Sequence, residues 1–296
     1  MKKTTPRHYL RRIAEDGLSI RFWVSNFLML LNISLPIGIF FDRETNSKVW
    51  FSKNSAAHKV FRNTYDPSVN KAVFRHFISS GSVVFDVGAN IGMYTIFSAR
   101  LAGPKGRVYA FEPTKDSFKN LLSNIILNKV DNVTPIFSAV SDKNTLVEFV
   151  DHFQSKEQNH LATSAELGSK KTLKTLATRL DAFIDTYEIQ QIDFLKIDVE
   201  GAELSVLKSL GDKISSVAII FFESSSRMYQ QYGYTIEDMV NFLNQNGFKV
   251  FYPTLQNKDL QLADFPSEKL ARSGDLVAVN SSYGAQDILQ DIVDGS

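Results

Sequence analysis

The sequence predicts an α/β protein built on a doubly wound, mostly parallel seven-stranded sheet with helices on both faces. Three observations carry that expectation. From residue 81 onward, short apolar segments alternate with helical stretches, the pattern of βαβ units. Most of those segments are continuously apolar and rich in β-branched or aromatic residues, as strands covered on both faces should be. The first of them runs directly into a glycine turn, Gly88-Ala89-Asn90-Ile91-Gly92, that opens a helix.

Ahead of this pattern lies an extension. Residues 1–21 carry Lys2, Lys3, Arg7, Arg11, Arg12 and Arg21 against Glu15 and Asp16, so a +4 head precedes a body that is −3, within a formal total of +1. Residues 22–41, FWVSNFLMLLNISLPIGIFF, are apolar but interrupted by Asn26 and Asn32 and broken by Pro36 with Gly38. That leaves less unbroken apolar helix than the ~20 residues a membrane span needs, and no small-residue cleavage signature follows. The expectation is a packing helix over about 18–34 and then a hairpin in which IGIFF and VWFSK flank DRETNSK. The alternative is an interfacial membrane helix, with residues 1–35 making a peripheral contact. The expected location is cytoplasmic, peripheral to a membrane only through that segment.

The strands of the sheet are expected at 82–87 (SVVFDV), 106–112 (GRVYAFE), 133–140 (VTPIFSAV), 194–199 (FLKIDV), 217–223 (VAIIFFE), 248–253 (FKVFYP) and 273–280 (SGDLVAVN). Helices are expected at 93–102, 115–128, 202–211 and 235–247, the last stopped by Gly247. The polar stretch 151–171 reads as a long loop, and loops of that length inside a compact domain usually serve function. The expected organisation is an extension over 1–80 (basic apolar helix, hairpin, helix), a catalytic domain over 81–282 and a tail over 283–296.

Composition narrows the chemistry. The chain of 296 residues has no cysteine, which excludes disulfide scaffolds, thiolate metal sites and a cysteine nucleophile. The near-neutral charge and the acidic body argue against a nucleic-acid partner.

The glycine turn lies at the carboxyl edge of the sheet, where open α/β folds bind ligands. It is neither a P-loop nor the dinucleotide pattern, because Met93 stands at the third glycine position. Glu112, at the end of the next strand, is placed to take both hydroxyls of a ribose, and Pro113 stiffens the turn after it. Acidic Asp86 and Glu112 on either side of the turn suit a nucleoside with a cationic linker, and S-adenosylmethionine is one. A tight turn needing glycine for φ > 0 is the ligand-free alternative.

In FLKIDVEG, alternation would put Lys196, Asp198 and Glu200 on one side of the strand. A lysine in an apolar central strand needs a partner, and Asp198, Glu200 or Glu223 is the expected one. Either Asp198 or Glu200 accepts a proton from an acceptor hydroxyl, with Lys196 tuning it, or Lys196 and a carboxylate form a structural ion pair. His160 is a further candidate base, with a solvated loop histidine as the alternative. No resident metal is expected. Asp198, Glu200 and Glu223 are the hard-oxygen groups that Mg²⁺ would use, and Lys196 competes for them.

FDVGANIGMYT, FEP, FLKIDVEGAELSVLKSL and FFE, in that order, resemble the FkbM family of class I S-adenosylmethionine-dependent methyltransferases over roughly residues 80–280. The resemblance implies the Rossmann-like class I methyltransferase fold and S-adenosylmethionine as cofactor. It puts Asp86, Gly88, Ala89, Asn90 and Gly92 on the methionine and sugar side, Glu112 on the ribose hydroxyls, and Ser138, Ala139 and Val140 near the adenine. It implies a small-molecule or glycan acceptor, methylated on a hydroxyl of a sugar, glycan or secondary metabolite. The residues alone leave two other readings: a nicotinamide-dependent oxidoreductase, or a non-catalytic binding or scaffold protein that kept the nucleoside fold. They say nothing of oligomeric state.

Overall fold

The computed structural model describes residues 38–42, 45–51, 69–150, 161–162, 172–257, 259–265 and 274–283. The expected helix at 18–34, the membrane-contact segment and His160 lie outside the described residues. Among the described residues no helix is long and apolar enough to cross a membrane.

Among the described residues a two-stranded hairpin, β1 (Gly38–Asp42) and β2 (Ser47–Phe51), comes first, as the sequence predicts, with a shorter loop than DRETNSK. Helix α1 (Val69–Phe77) leads into β3 (Val83–Val87), α2 (Met93–Ala102), β4 (Arg107–Phe111), α3 (Lys115–Asn128) and β5 (Val133–Ile136). A three-stranded excursion follows, made of β6 (Ala139–Val140), β7 (Thr145–Val150) and β8 (Thr172–Thr178). The chain then returns through α4 (Leu180–Thr186), β9 (Ile192–Ile197), α5 (Glu203–Lys208) and a 3₁₀ turn to β10 (Val217–Ser224). It finishes with α6 (Ser226–Gln231), α7 (Ile236–Gln245), β11 (Phe248–Gln256), β12 (Asp259–Asp264) and β13 (Gly274–Asn280).

Among the described residues the main sheet has eight strands in the order β12-β11-β13-β10-β9-β3-β4-β5, not seven. Strands β10, β9, β3, β4 and β5 run parallel, whereas β13 inserts antiparallel between β10 and β11. The extra strand β12 pairs antiparallel with β11 at the sheet edge. Only Leu262 of it is buried, so its sequence lacks the apolar run that marks the central strands. The expected strand 133–140 is also divided. Pro135 can occupy β5 because β5 is an edge strand that needs no donor on its outer side. Phe137 then turns outward, half exposed, and β6 joins β8 in the small sheet.

Side-chain alternation along the parallel strands builds two cores. Phe85, Leu195, Ile197, Ile220 and Phe222 face α4, α5 and α7 on one side. Val84, Phe194, Ile219 and Phe221 face α1 and α2 on the other. Phe74 of α1 is fully buried there, with its ring centroid 4.8 Å from those of Tyr94 and Phe194 and 5.4 Å from that of Phe221. Truncating such a ring to alanine costs about 3–5 kcal/mol. The hairpin is fastened by amides one helical turn apart on α3. Asn124 receives the Trp50 amide and donates to the Trp50 and Ile91 carbonyls, and Asn128 exchanges the same pair of bonds with Lys48. Since Ile91 lies in the glycine turn, Asn124 links the hairpin to the edge of the sheet that bears the site. Helix α7 starts on a capping box between Thr235 and Asp238, and Gly247 beyond its end adopts φ +83°.

Candidate active site

The glycine turn, the ends of β4 and β9 and the first residues of the excursion surround a cavity of about 500 Å³ at the carboxyl edge of the sheet. At Gly88 the backbone is left-handed, φ +80°, and a β-carbon would lie 1.9 Å from the carbonyl oxygen of Asp198. Only glycine lets the two strand ends approach so closely. The amides of Gly88 and Ala89 both donate to the Phe111 carbonyl, at 3.0 and 2.9 Å, so the turn is tied to the end of β4.

Glu112, one residue past β4, reinforces that tie. Its Oε2 accepts the Asn90 amide at 2.9 Å, and its Oε1 accepts the amide and hydroxyl of Thr114 at 2.8 and 2.5 Å. Burial pushes its carboxyl upward, and these three donors oppose the shift. With Oε1 taking two donors, Oε2 is the oxygen that keeps lone-pair capacity for a further one, and Glu112 lines the cavity. Ser138, Ala139 and Val140 form the wall beyond it. The Ser138 hydroxyl is bonded inward to the Ala139 and Leu176 carbonyls and the Thr178 hydroxyl. Of the residues expected around the cofactor, Gly88, Ala89, Asn90, Glu112 and these three line the cavity. Asp86 and Gly92 are not among the lining residues. Gly92 instead lets α2 approach α3, since a β-carbon there would lie 2.5 Å from Leu121.

Asp86 lies beneath the cavity floor, 1% exposed, and its Oδ1 accepts Lys196 Nζ at 2.9 Å while Oδ2 accepts the Thr95 hydroxyl. Lys196 Nζ also donates to the Gly88 carbonyl at 3.1 Å and stands 3.7 Å from Asp198 Oδ2. Of the expected partners Asp198, Glu200 or Glu223, Asp198 does pair with Lys196, but the nearer partner, Asp86, its cross-strand register partner, was not among them. Burial alone would lower the lysine's pKa, but the charges of Asp86 and Asp198 hold it above the ordinary value, so the ammonium stays protonated. The alternation expected through residue 200 also stops early. Strand β9 ends at Ile197, and Glu200 occupies a turn at φ +55°, followed by Gly201 at φ +109°.

That turn still brings Asp198 and Glu200 to the cavity, where they meet Glu223 at the end of β10, with one carboxylate oxygen of each within 4.8 Å of the others. Burial, then the charges of Asp198, Glu200, Asp275 and Glu203, push Glu223 up to about 9, so the cluster holds a proton there at neutral pH. Several lining groups escaped sequence reasoning. Asp275, the register partner of Glu223 on β13, accepts Asn70 Nδ2 at 2.6 Å, and burial pushes it up to about 6. Tyr94 lies within 3.4 Å of the same amide and under the Lys196 ammonium, and burial pushes its hydroxyl up to about 12. No local signal reveals these, because Asn70 and Asp275 are 205 residues apart.

A sheet with this strand order, a glycine turn at its carboxyl edge and an acidic residue closing the next strand define a class I methyltransferase-type nucleoside fold. A family profile described as "Methyltransferase FkbM domain" matches residues 86–250. The chain belongs to the FkbM methyltransferase family. Among curated proteins it is 29% identical over 141 residues to hexuronic acid methyltransferase AglP of Haloferax volcanii, covering 48% of this chain and 55% of that one. It is 30% identical over 172 residues to 31-O-demethyl-FK506 methyltransferase FkbM of Streptomyces tacrolimicus, covering 48% and 65%. The chain thus spans less than two thirds of the length of either relative. Among solved structures, methyltransferase FkbM of Methylobacillus flagellatus KT shares 17% identity over 68% of this chain and 43% of that one, at a TM-score of 0.43.

Proposed function

We propose that the protein is an S-adenosylmethionine-dependent O-methyltransferase whose acceptor is a hydroxyl of a sugar, glycan or secondary metabolite. The observation that carries the reading is the Asn90–Glu112 bond, which clamps the glycine turn to an acidic strand end at the mouth of a nucleoside-sized cavity. The residues fit the cofactor. Gly88 leaves the close backbone approach open, Glu112 Oε2 retains acceptor capacity for a ribose hydroxyl, and Ser138–Val140 line the wall where the adenine would lie. The names of the two curated relatives support the acceptor class: one is a hexuronic acid methyltransferase, a sugar-acid enzyme, and the other, a 31-O-demethyl-FK506 methyltransferase, is named for an oxygen.

Bound S-adenosylmethionine would supply an electrophilic methyl on a cationic sulfur. The chain's own part would be to hold an acceptor hydroxyl in line with that methyl and to take the hydroxyl proton on a carboxylate as the methyl leaves the sulfur. Asp198, with its side chain 43% exposed toward the cavity, is the group we assign to that proton. Lys196 stays charged and anchors the floor, Glu223 is protonated at neutral pH, and Glu200 flanks the acceptor. Alignment and exclusion of water supply the remaining rate enhancement.

The experiment is a labelled-methyl transfer screen of cell extracts with mass spectrometry of the product. Label on an oxygen of a sugar or natural product is expected. Label on nitrogen, or no transfer by a protein that binds S-adenosylmethionine, would overturn the assignment of reaction.

A further inference from the structure

Three of the cavity's carboxylates, Asp198, Glu200 and Glu223, are carried by two backbone segments, and one buried network holds both. Glu203 is 1% exposed, and its Oε1 accepts the amides of Val199 and Gly201, each at 3.2 Å. These are the turn residues on either side of Glu200, whose left-handed φ of +55° is unfavourable for a residue with a β-carbon. Tyr234 closes the turn from the other side, donating its hydroxyl to the Gly201 carbonyl at 2.7 Å with Glu203 Oε2 at 3.4 Å. The Tyr234 ring stacks on Tyr229 at 4.5 Å, and the Tyr229 hydroxyl donates to the backbone carbonyl of Glu223 at 2.7 Å. Gly201 has no room for a side chain, because a β-carbon would lie 2.6 Å from the Tyr232 ring.

We infer that Glu203 is a positioning residue which, with Tyr234 and Tyr229, staples the backbone that presents Asp198, Glu200 and Glu223 to the cavity. The inference rests on the methyltransferase reading of this pocket and deepens it. A buried carboxylate is costly unless donors satisfy it, and here its donors are backbone amides, those of Val199 and Gly201 in the strained turn among them. Backbone strain of this kind persists where surrounding structure over-determines it, and it concentrates at functional sites. The other end of the same turn is already fixed, since the Asp198 amide donates to the Val87 carbonyl at 3.0 Å. Glu203 and Tyr234 therefore fix the end that would otherwise be free to relax. Burial pushes the Glu203 carboxyl up to about 7. A neutral acceptor of the same shape should then serve nearly as well: glutamine keeps the Oε1 acceptor and can donate its amide to the Tyr234 oxygen.

The test uses the full chain as wild type, Glu203→Ala, Glu203→Gln and Tyr234→Phe. In the S-adenosylhomocysteine complex, the Val199 and Gly201 amides should exchange roughly tenfold faster in Glu203→Ala. In labelled-methyl transfer to the acceptor extract, kcat should fall roughly 10- to 100-fold while KM for S-adenosylmethionine stays within about threefold. Glu203→Gln should restore both quantities. If Glu203→Ala does not fold, Tyr234→Phe, which removes one hydroxyl, should show the same split between kcat and KM at smaller size. Unchanged exchange in Glu203→Ala, unchanged kcat in the folded variants, or a Glu203→Gln variant as impaired as alanine would overturn the staple. Wild type that fails to bind S-adenosylhomocysteine would instead overturn the methyltransferase reading, and exchange in the unliganded protein would still decide the staple.

Discussion

Asp86 and Lys196 face each other across adjacent parallel strands, with Oδ1 and Nζ 2.9 Å apart and their side chains 1% and 3% exposed. The pair lies directly beneath the glycine turn, whose Gly88 carbonyl takes a second bond from the same ammonium. It therefore ties β3 and β9 together at the point where the cavity opens.

Removing one partner should cost more than removing both. Lys196→Met leaves Asp86 buried and uncompensated and should destabilise the fold by about 3–5 kcal/mol, whereas Lys196→Met with Asp86→Leu should recover much of that. Urea denaturation of the two singles and the double reads the coupling. Additive effects would mean the pair does not interact as a unit.

Asp198 is assigned the acceptor proton, so Asp198→Asn should lower kcat by roughly 10²- to 10⁴-fold, the usual worth of a general base. Affinity for S-adenosylhomocysteine should stay within about threefold, because the substitution keeps the backbone that packs on Gly88. Steady-state kinetics and calorimetry separate the two effects. Full turnover would move the role to another group.

Glu223 should give stability an unusual slope with pH. Its folded pKa of about 9 lies above the ordinary 4.5, so the folded state binds this proton more tightly than the unfolded chain does. Its contribution is complete below pH 4.5 and is lost as pH rises toward 9. Glu223→Gln should flatten that decline and melt several degrees higher than wild type at pH 8–9. Melting curves across pH 5–9 check it, and parallel curves for the two proteins would contradict the raised value.

Local signals carried much of the fold. A continuous apolar strand, a glycine turn and an acidic strand end sit close together in sequence, so the Gly88–Gly92 turn and Glu112 were legible without knowing the topology. Asp198 was legible as a partner of Lys196, but the nearer one was not, because Asp86 becomes its neighbour only when β9 pairs with β3. The same reason hid Asn70 with Asp275, and Tyr229 beneath Glu223. Strand β12 and the break at Phe137 were missed because edge strands bury too little to impose an apolar pattern. Glu203 stood inside a motif that was read, yet alternation drew attention to Lys196, Asp198 and Glu200 and assumed a strand where the chain turns.

The central claim is that the cavity between the glycine turn and Glu112 binds S-adenosylmethionine. Isothermal titration calorimetry of the full chain with S-adenosylhomocysteine tests it most directly, comparing wild type with Glu112→Ala. Saturable one-to-one binding by wild type is expected, weakened at least tenfold in Glu112→Ala through loss of charge-assisted bonds to the ribose. No binding by folded wild type, or equal affinity in the variant, would contradict the account.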